Sequence, residues 1–275
     1  MRKLLGHRGI LVGLVMVVVI GLVAIFANVV APTSPNTMDV VNRLQPPSWT
    51  RLFGTDDLGR DIFSRVVHGA RVSLLVGFLV SGACLLLGGF IGLLAGFYRR
   101  ADNVLMRIMD GFMSFPNIVL AILLMATLGT SLANIIITLS ITYMPRMARV
   151  VRSSVLLARE LTFVEAARAL GAADRRLMFL YVLPNCLSPI IVQWTFTFAY
   201  AILGEASLSF LGVGVPPDVP TWGTILSEGR VYIQRAPWLT VLPGLAILWS
   251  VLGLNLLGDG IRDLFDPHYR KSGGA

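Results

Sequence analysis

Charge is what this sequence most conspicuously lacks. Only 14% of its 275 residues are Asp, Glu, Lys or Arg, while 55% are hydrophobic. A soluble domain carries about a quarter charged residues, and no soluble core of this length hides so much apolar surface. Lysine is nearly absent: Lys3 and Lys271, both near the termini, are all there is. Neither sits in a Gly-x-x-x-x-Gly-Lys-Ser/Thr phosphate loop, so any ATP must be bound by other chains. Cys84 and Cys186 make no disulfide framework and read as packing residues. His7, His68 and His268 are too scattered for a metal cluster. No Ser/His/Asp cluster or carboxylate pair stands out, which speaks against an enzyme. The short alternating segments of a membrane β-barrel are missing too.

What is present is a series of long apolar runs, at about 10–31, 72–97, 111–129, 133–151, 189–211 and 238–258. Water is absent from the bilayer core, so each run must pair its own backbone groups as a helix. The fold class is therefore all-α, a polytopic membrane protein with six transmembrane helices. The first run follows Arg2, Lys3 and Arg8 and exceeds the roughly 7–15 residues of a signal-peptide core, which reads as an uncleaved anchor. The fourth is the least apolar, holding Thr138, Ser140, Thr142, Pro145 and Arg146. Residues 1–70 divide off as the anchor and a polar outer loop, and 71–275 as a five-helix core.

Most of the 23 basic residues fall at the two termini and in the segments around 99–107 and 146–176. The positive-inside rule then puts both termini in the cytoplasm. The arginines lie between apolar runs and form no continuous basic stripe, so the charge reports topology and not nucleic acid. Gly88, Gly92 and Gly96 recur every fourth residue and make a smooth face, a packing seam within the bundle.

The inner loop 152–187 is the most informative segment. Its Ala-rich residues 155–170 favour helix, Gly171 is placed to cap that helix, and Asp174 can start another. Pro184 then limits the second helix before the fifth span. Ala166, Ala167 and Ala169 leave the first helix slim, a surface that another protein can approach closely. In the outer loop, Asp56 with Arg60 and Asp61 with Arg65 are spaced for a short exposed helix. Glu205 falls near the end of the fifth span, where an ionisable group either serves as a structural hydrogen-bond partner or lines the passage. Arg146 and Arg149 sit at the inner end of the fourth span and snorkel. Asp259 and Asp263 sit at the inner face, and Trp222 and Trp238 fit an outer interfacial belt.

Glu165-Ala166-Ala167, three residues, Gly171, then Leu183-Pro184 resembles the coupling loop of ABC importer permeases. Gly54-Thr55-Asp56-Asp57-Leu58-Gly59-Arg60-Asp61 resembles the first outer loop of the dipeptide/oligopeptide/nickel permeases, in the subunit called the C type. Asp102-Asn103-Val104-Leu105-Met106-Arg107, Ser114-Phe115-Pro116, Gly204-Glu205-Ala206-Ser207-Leu208-Ser209-Phe210-Leu211-Gly212 and Asn255-Leu256-Leu257-Gly258-Asp259-Gly260 are similar to further motifs of that family. The resemblance implies the type I ABC importer permease fold in a bacterial inner membrane. It implies a second homologous permease, two ATPase subunits holding ATP and Mg, and an extracytoplasmic solute-binding protein. This chain itself carries no cofactor. Coupling to the ATPases then falls to Glu165, Ala166, Ala167, Leu170, Gly171 and Asp174. Glu205, Arg146 and Ser207 stand as passage or gate residues, and Asp56, Arg60 and Asp61 as the binding-protein contact. The implied cargo is a di- or oligopeptide, with nickel or another small solute as the alternative. A secondary transporter is the competing class, but it calls for inverted repeats and mid-membrane acids, and neither is evident.

Overall fold

The computed structural model describes residues 8–265. His7, His268, the basic start Arg2–Lys3 and Arg270–Lys271 of the tail lie outside the described residues. Among the described residues the regular structure is helical apart from one isolated bridge between Thr55 and Asp61.

Helix α1 (Arg8–Ile25) is apolar after Arg8 and lies along α9, Trp238–Phe265. Gly13 makes that approach possible, since an added Cβ would come within 2.8 Å of the Gly253 carbonyl oxygen. Trp249 Nε1 fastens the pair by donating to the Met16 carbonyl at 3.1 Å.

Helix α2 runs without interruption from Ile62 to Phe97, 36 residues, with a π-helical turn at Cys84–Gly88. At 1.5 Å per residue it is about 54 Å long, well beyond the ~30 Å hydrocarbon layer. Its first turns, 62–70, were expected to be loop. They are helix because Asp61 caps them, accepting from the Ser64 N–H at 2.9 Å, and because Arg65 finds buried partners. The polar residues there mark a protein interior and not a helix end.

The apolar run at 111–129 belongs to two helices, α3 (Arg99–Met113) and α4 (Asn117–Leu128), bent by 89°. Pro116 lacks an N–H and pushes Phe115 out of helical geometry, which breaks the ladder there. Helix α4 alone is only about 18 Å long, short of a full crossing.

Helix α5 (Leu132–Ala158) starts at Ser131, whose side chain accepts from the Asn134 N–H at 3.1 Å. Gly129, with φ +83°, makes the turn before it. Its low hydropathy has a packing cause. Thr138 and Thr142 face the interior, Thr142 Oγ1 donating to the Thr138 carbonyl at 2.8 Å, so α5 shows lipid little of its surface. Gly88, Gly92 and Gly96 of α2 pack against it. Side chains there would collide with the Met144, Ala148 and Arg152 carbonyls.

The expected single helix over 155–170 is broken. The chain turns at Arg159–Leu161, and a separate short helix, α6 (Thr162–Ala169), follows. Helix α7 then runs from Asp174 to Phe210, 37 residues, through both Pro184 and Pro189. Pro184 does not end it as expected. A π-helical turn at Leu177–Val182 shifts the ladder just before the proline, and Asn185 Nδ2 supplies a donor to the Tyr181 carbonyl at 2.7 Å. After a Gly/Pro loop come α8 (Trp222–Gly229), opened by a Thr221/Thr224 capping box, and α9 (Trp238–Phe265).

Helix α7 is the hub, packing on α2, α5 and α9. One core cluster joins α2, α5 and α7, and another joins α1, α8 and α9 to the first half of α2. Trp222 is fully buried in the second, donating from Nε1 to the Val66 carbonyl at 3.0 Å, so it belongs to no interfacial belt. Trp238 is half-buried and reaches the Thr55 carbonyl at 3.4 Å. Among the described residues three helices, Ile62–Phe97, Asp174–Phe210 and Trp238–Leu264, are long and apolar enough to cross a membrane, and the bent α3–α4 pair adds a fourth. The six expected apolar runs fall on α1, α2, α3–α4, α5, α7 and α9, of which α1 is too short and α5 too polar to meet that measure.

Candidate functional site

Three places gather the candidate residues. The first is α6 and the turn after it. Val164 is fully buried and anchors α6 to the bundle, while Glu165, Ala166, Arg168 and Ala169 face out. The helix ends in a full Schellman motif: the Gly171 N–H donates to the Arg168 carbonyl at 2.9 Å and the Ala172 N–H to the Ala167 carbonyl at 3.1 Å. That geometry needs the left-handed φ of +85° at Gly171, which suits glycine. Leu170, at the tip, is 90% exposed. Asp174 opens α7 on the other side of the turn. Phe163, Ala166, Leu170, Arg176 and Tyr181 line a shallow groove of about 480 Å³ between the two helices. The helix thus leans on the bundle through Val164, with Ala167 packed beside it, and leaves an apolar tip and a groove exposed.

The same end of the bundle is braced by ion pairs. Arg152 meets Asp102 of α3 with 2.6 Å between Nη2 and Oδ2, and Arg149 meets Asp110 at 2.6 Å. Arg159 Nη1 donates to the Gly96 carbonyl of α2 at 2.9 Å. These contacts tie the end of α5 to α2 and α3.

The second place is the open face of α7. Tyr200, Leu203, Ser207 and Phe210 follow one helical stripe and are exposed. Arg146 of α5 is also exposed and stacks over the Tyr200 ring at 5.2 Å. Ser207 Oγ donates back to the Leu203 carbonyl at 2.7 Å. Glu205 is not on this face. It is fully buried on the opposite side, where its carboxylate accepts from Ser73 of α2 at 3.2 Å, Ser209 at 2.9 Å and Thr221 at 2.8 Å. Ser73 Oγ in turn accepts from the Trp222 N–H at 3.2 Å. Of the two readings open for Glu205, the structure matches the structural one: it ties α2, α7 and the start of α8 together.

The third place is the turn at 54–61. Gly54 and Gly59 both adopt φ of +74°, so the segment is a tight turn and not the expected exposed helix. Asp56 and Arg60 do pair, at 2.6 Å, but they are buried. Asp61 does not pair with Arg65, because its carboxylate is used as the α2 cap. Arg65, fully buried, instead reaches Asp56 at 2.9 Å and forms a second ion pair with Glu228 of α8, which also meets Arg60 at 2.9 Å. Two acids and two arginines thus form a closed cluster welding the turn to α8. Asp56, Arg60 and Asp61 hold this end together and present little surface to a partner.

Sequence reasoning missed Glu228, Ser73 and Thr221. Nothing local marks Glu228, which lies more than 160 positions from Arg65. A signal did exist for Thr221: Thr followed three residues later by Thr224 before an apolar stretch is close to a capping-box pattern.

The family model described as binding-protein-dependent transport system inner membrane component matches residues 88–271. A second, the N-terminal TM domain of oligopeptide transport permease C, matches residues 1–47. The chain is 48% identical over 272 residues to a putative peptide transport system permease protein of Brucella abortus, covering 99% of this chain and 92% of that one. It is 46% identical over 271 residues to the dipeptide transport system permease protein DppC of Alkalihalophilus pseudofirmus, covering 98% and 89%. Among solved structures, a chain of the inward-facing MetNI methionine ABC transporter shares the fold with a TM-score of 0.62 at 20% identity, over 73% of this chain and 95% of that one.

Proposed function

This chain belongs to the family of binding-protein-dependent transport system inner membrane components, and from that premise we propose that it is the C-type subunit of an importer that moves di- or oligopeptides by alternating access. The peptide cargo is supported by the relatives named as peptide and dipeptide permeases. The basic residues concentrated at the α6 end support a cytoplasmic location for that end and for both termini of a six-span bundle. The turn at 54–61 and α8 then face outward.

One observation carries the mechanism: α6 is presented outside the bundle with Glu165, Ala166 and Leu170 exposed and Gly171 fixing the turn. Two partner ATPases bind ATP and Mg, and one of them grips this hairpin. When ATP closes the ATPase pair, α6 moves, and the ion pairs at Asp102 and Asp110 pass the displacement to α3 and α5. The bundle and a second, homologous permease then open outward to a solute-binding protein and its cargo. Hydrolysis returns the inward-facing state. The peptide moves along the face carrying Arg146, Tyr200 and Ser207, which stays open among the described residues. It shifts the equilibrium only through its different affinity for the two states.

Uptake of a labelled dipeptide by cells carrying all the subunits tests this reading. Gly171→Pro and Glu165→Lys are expected to abolish uptake while membrane insertion, followed by protease protection, stays normal. Uptake is also expected to stop on ATP depletion and to survive an uncoupler. Normal uptake by both variants would remove the docking role from α6.

A further inference from the structure

We propose that a groove between α1, α2 and α7 is a phospholipid site, holding one acyl chain with its phosphate against Arg71. This inference rests on the chain lying in a bilayer and not on the identity of its cargo. The groove encloses about 560 Å³ and is lined almost wholly by apolar groups, among them Val17, Gly21 and Ile25 of α1, Phe78 of α2 and Phe198 of α7. Its depth comes from Gly21. An added Cβ at that position meets nothing within 4 Å, so the glycine opens space and serves no close helix contact.

Arg71 stands at the end of the groove nearest the 32–61 loop. Its Nε donates to the Ala24 carbonyl at 3.1 Å and its Nη2 to the Ile25 carbonyl at 3.0 Å, closing off the end of α1. The side chain is exposed, and none of the ion pairs among the described residues involves it. A guanidinium has more N–H groups than these two bonds use, in a planar fork suited to phosphate. Cation and groove are thus arranged as a phospholipid is, charge at the interface and hydrocarbon below.

Length separates a lipid from a helix of another subunit as the occupant. Val17 to Ile25 spans about 12 Å of α1, close to the roughly 15 Å hydrocarbon depth of one leaflet. A transmembrane helix about 10 Å across would need a seat running through both leaflets. An acyl chain fills a narrow groove confined to one.

The test uses the assembled transporter, co-purified with its other subunits in mild detergent and examined by native mass spectrometry. Phosphatidylglycerol is the added probe, and diacylglycerol with the same chains is its phosphate-free counterpart. The wild-type complex is expected to retain phosphatidylglycerol about tenfold better than diacylglycerol. Gly21→Leu fills the groove without meeting backbone and is a better helix former. It is expected to keep the thermal midpoint and lower retention about tenfold. Arg71→Ala is expected to erase the preference for the phosphate-bearing lipid, and Arg71→Lys to restore part of it. Equal retention of the two lipids by the wild type overturns the proposal, as does undiminished retention in Gly21→Leu. So does a Gly21→Cys cross-link that goes to the second permease instead of a photoactivatable phospholipid.

Discussion

The two ends of this bundle use the same residue types in opposite ways. At the α8 end, Asp56, Arg60 and Arg65 turn inward and, with the half-buried Glu228, form a closed cluster. At the α6 end, Arg149 and Asp110 pair in the open, and Glu165 and Arg168 have no interior to enter. A buried ion pair is costly to disturb, because removing one partner leaves the other charged and dry. An exposed pair contributes little and exchanges easily with water or with another protein. One end is therefore held by its charges, and the other leaves its charges free to change partners.

The sharpest way to break that contrast is at Arg65. Arg65→Met leaves two acids, Asp56 and Glu228, facing the single Arg60 and is expected to cost about 3–5 kcal/mol, seen as a lower thermal midpoint and less protein in the membrane. A variant as stable as the wild type would show that the cluster does not hold α8. Glu205→Ala ranks next. It leaves three buried hydroxyls short of an acceptor and is expected to cost about 1–3 kcal/mol, whereas Glu205→Gln keeps an acceptor for Ser209 and Thr221 and is expected to be milder. Equal losses in the two variants would mean that the charge, and not the hydrogen bonds, matters there. Gly171→Ala comes third. Forcing a side chain to φ +85° is expected to cost about 1–2 kcal/mol locally, with uptake falling more than membrane insertion. The smallest effect is expected from Arg149→Ala, at most about 1 kcal/mol. A larger change in thermal unfolding would show that the α6 end is also held by its charges.

The fate of individual residues shows what was readable. Gly171 was legible as a cap because a glycine after an alanine-rich helix has one cheap use, the left-handed turn. The seam of Gly88, Gly92 and Gly96 was legible for a similar reason: small residues at helical spacing leave a flat face that a neighbour fills. The acid–arginine pairs at 56–65 were misread because the i,i+4 rule presumes a helix, and Gly54 and Gly59 turn the chain instead. Glu205 could be placed near the end of its span, but not on either face of α7, since the stripe facing α2 and α8 is fixed only when those helices meet it. Trp222 suited a bilayer interface by residue type alone, yet the fold encloses it.

The sequence by itself determined that this chain is a helical membrane protein with a short helix and a glycine-capped turn between α5 and α7. Both follow from local physics: apolar run length against the thickness of hydrocarbon, and helix capping within a dozen residues. Tertiary structure alone decided which charges are sealed in, which face of α7 stays open, and that a glycine in α1 leaves room beside Arg71. Those outcomes depend on contacts between residues 50 to 170 positions apart, and no local preference specifies which distant side chain will arrive.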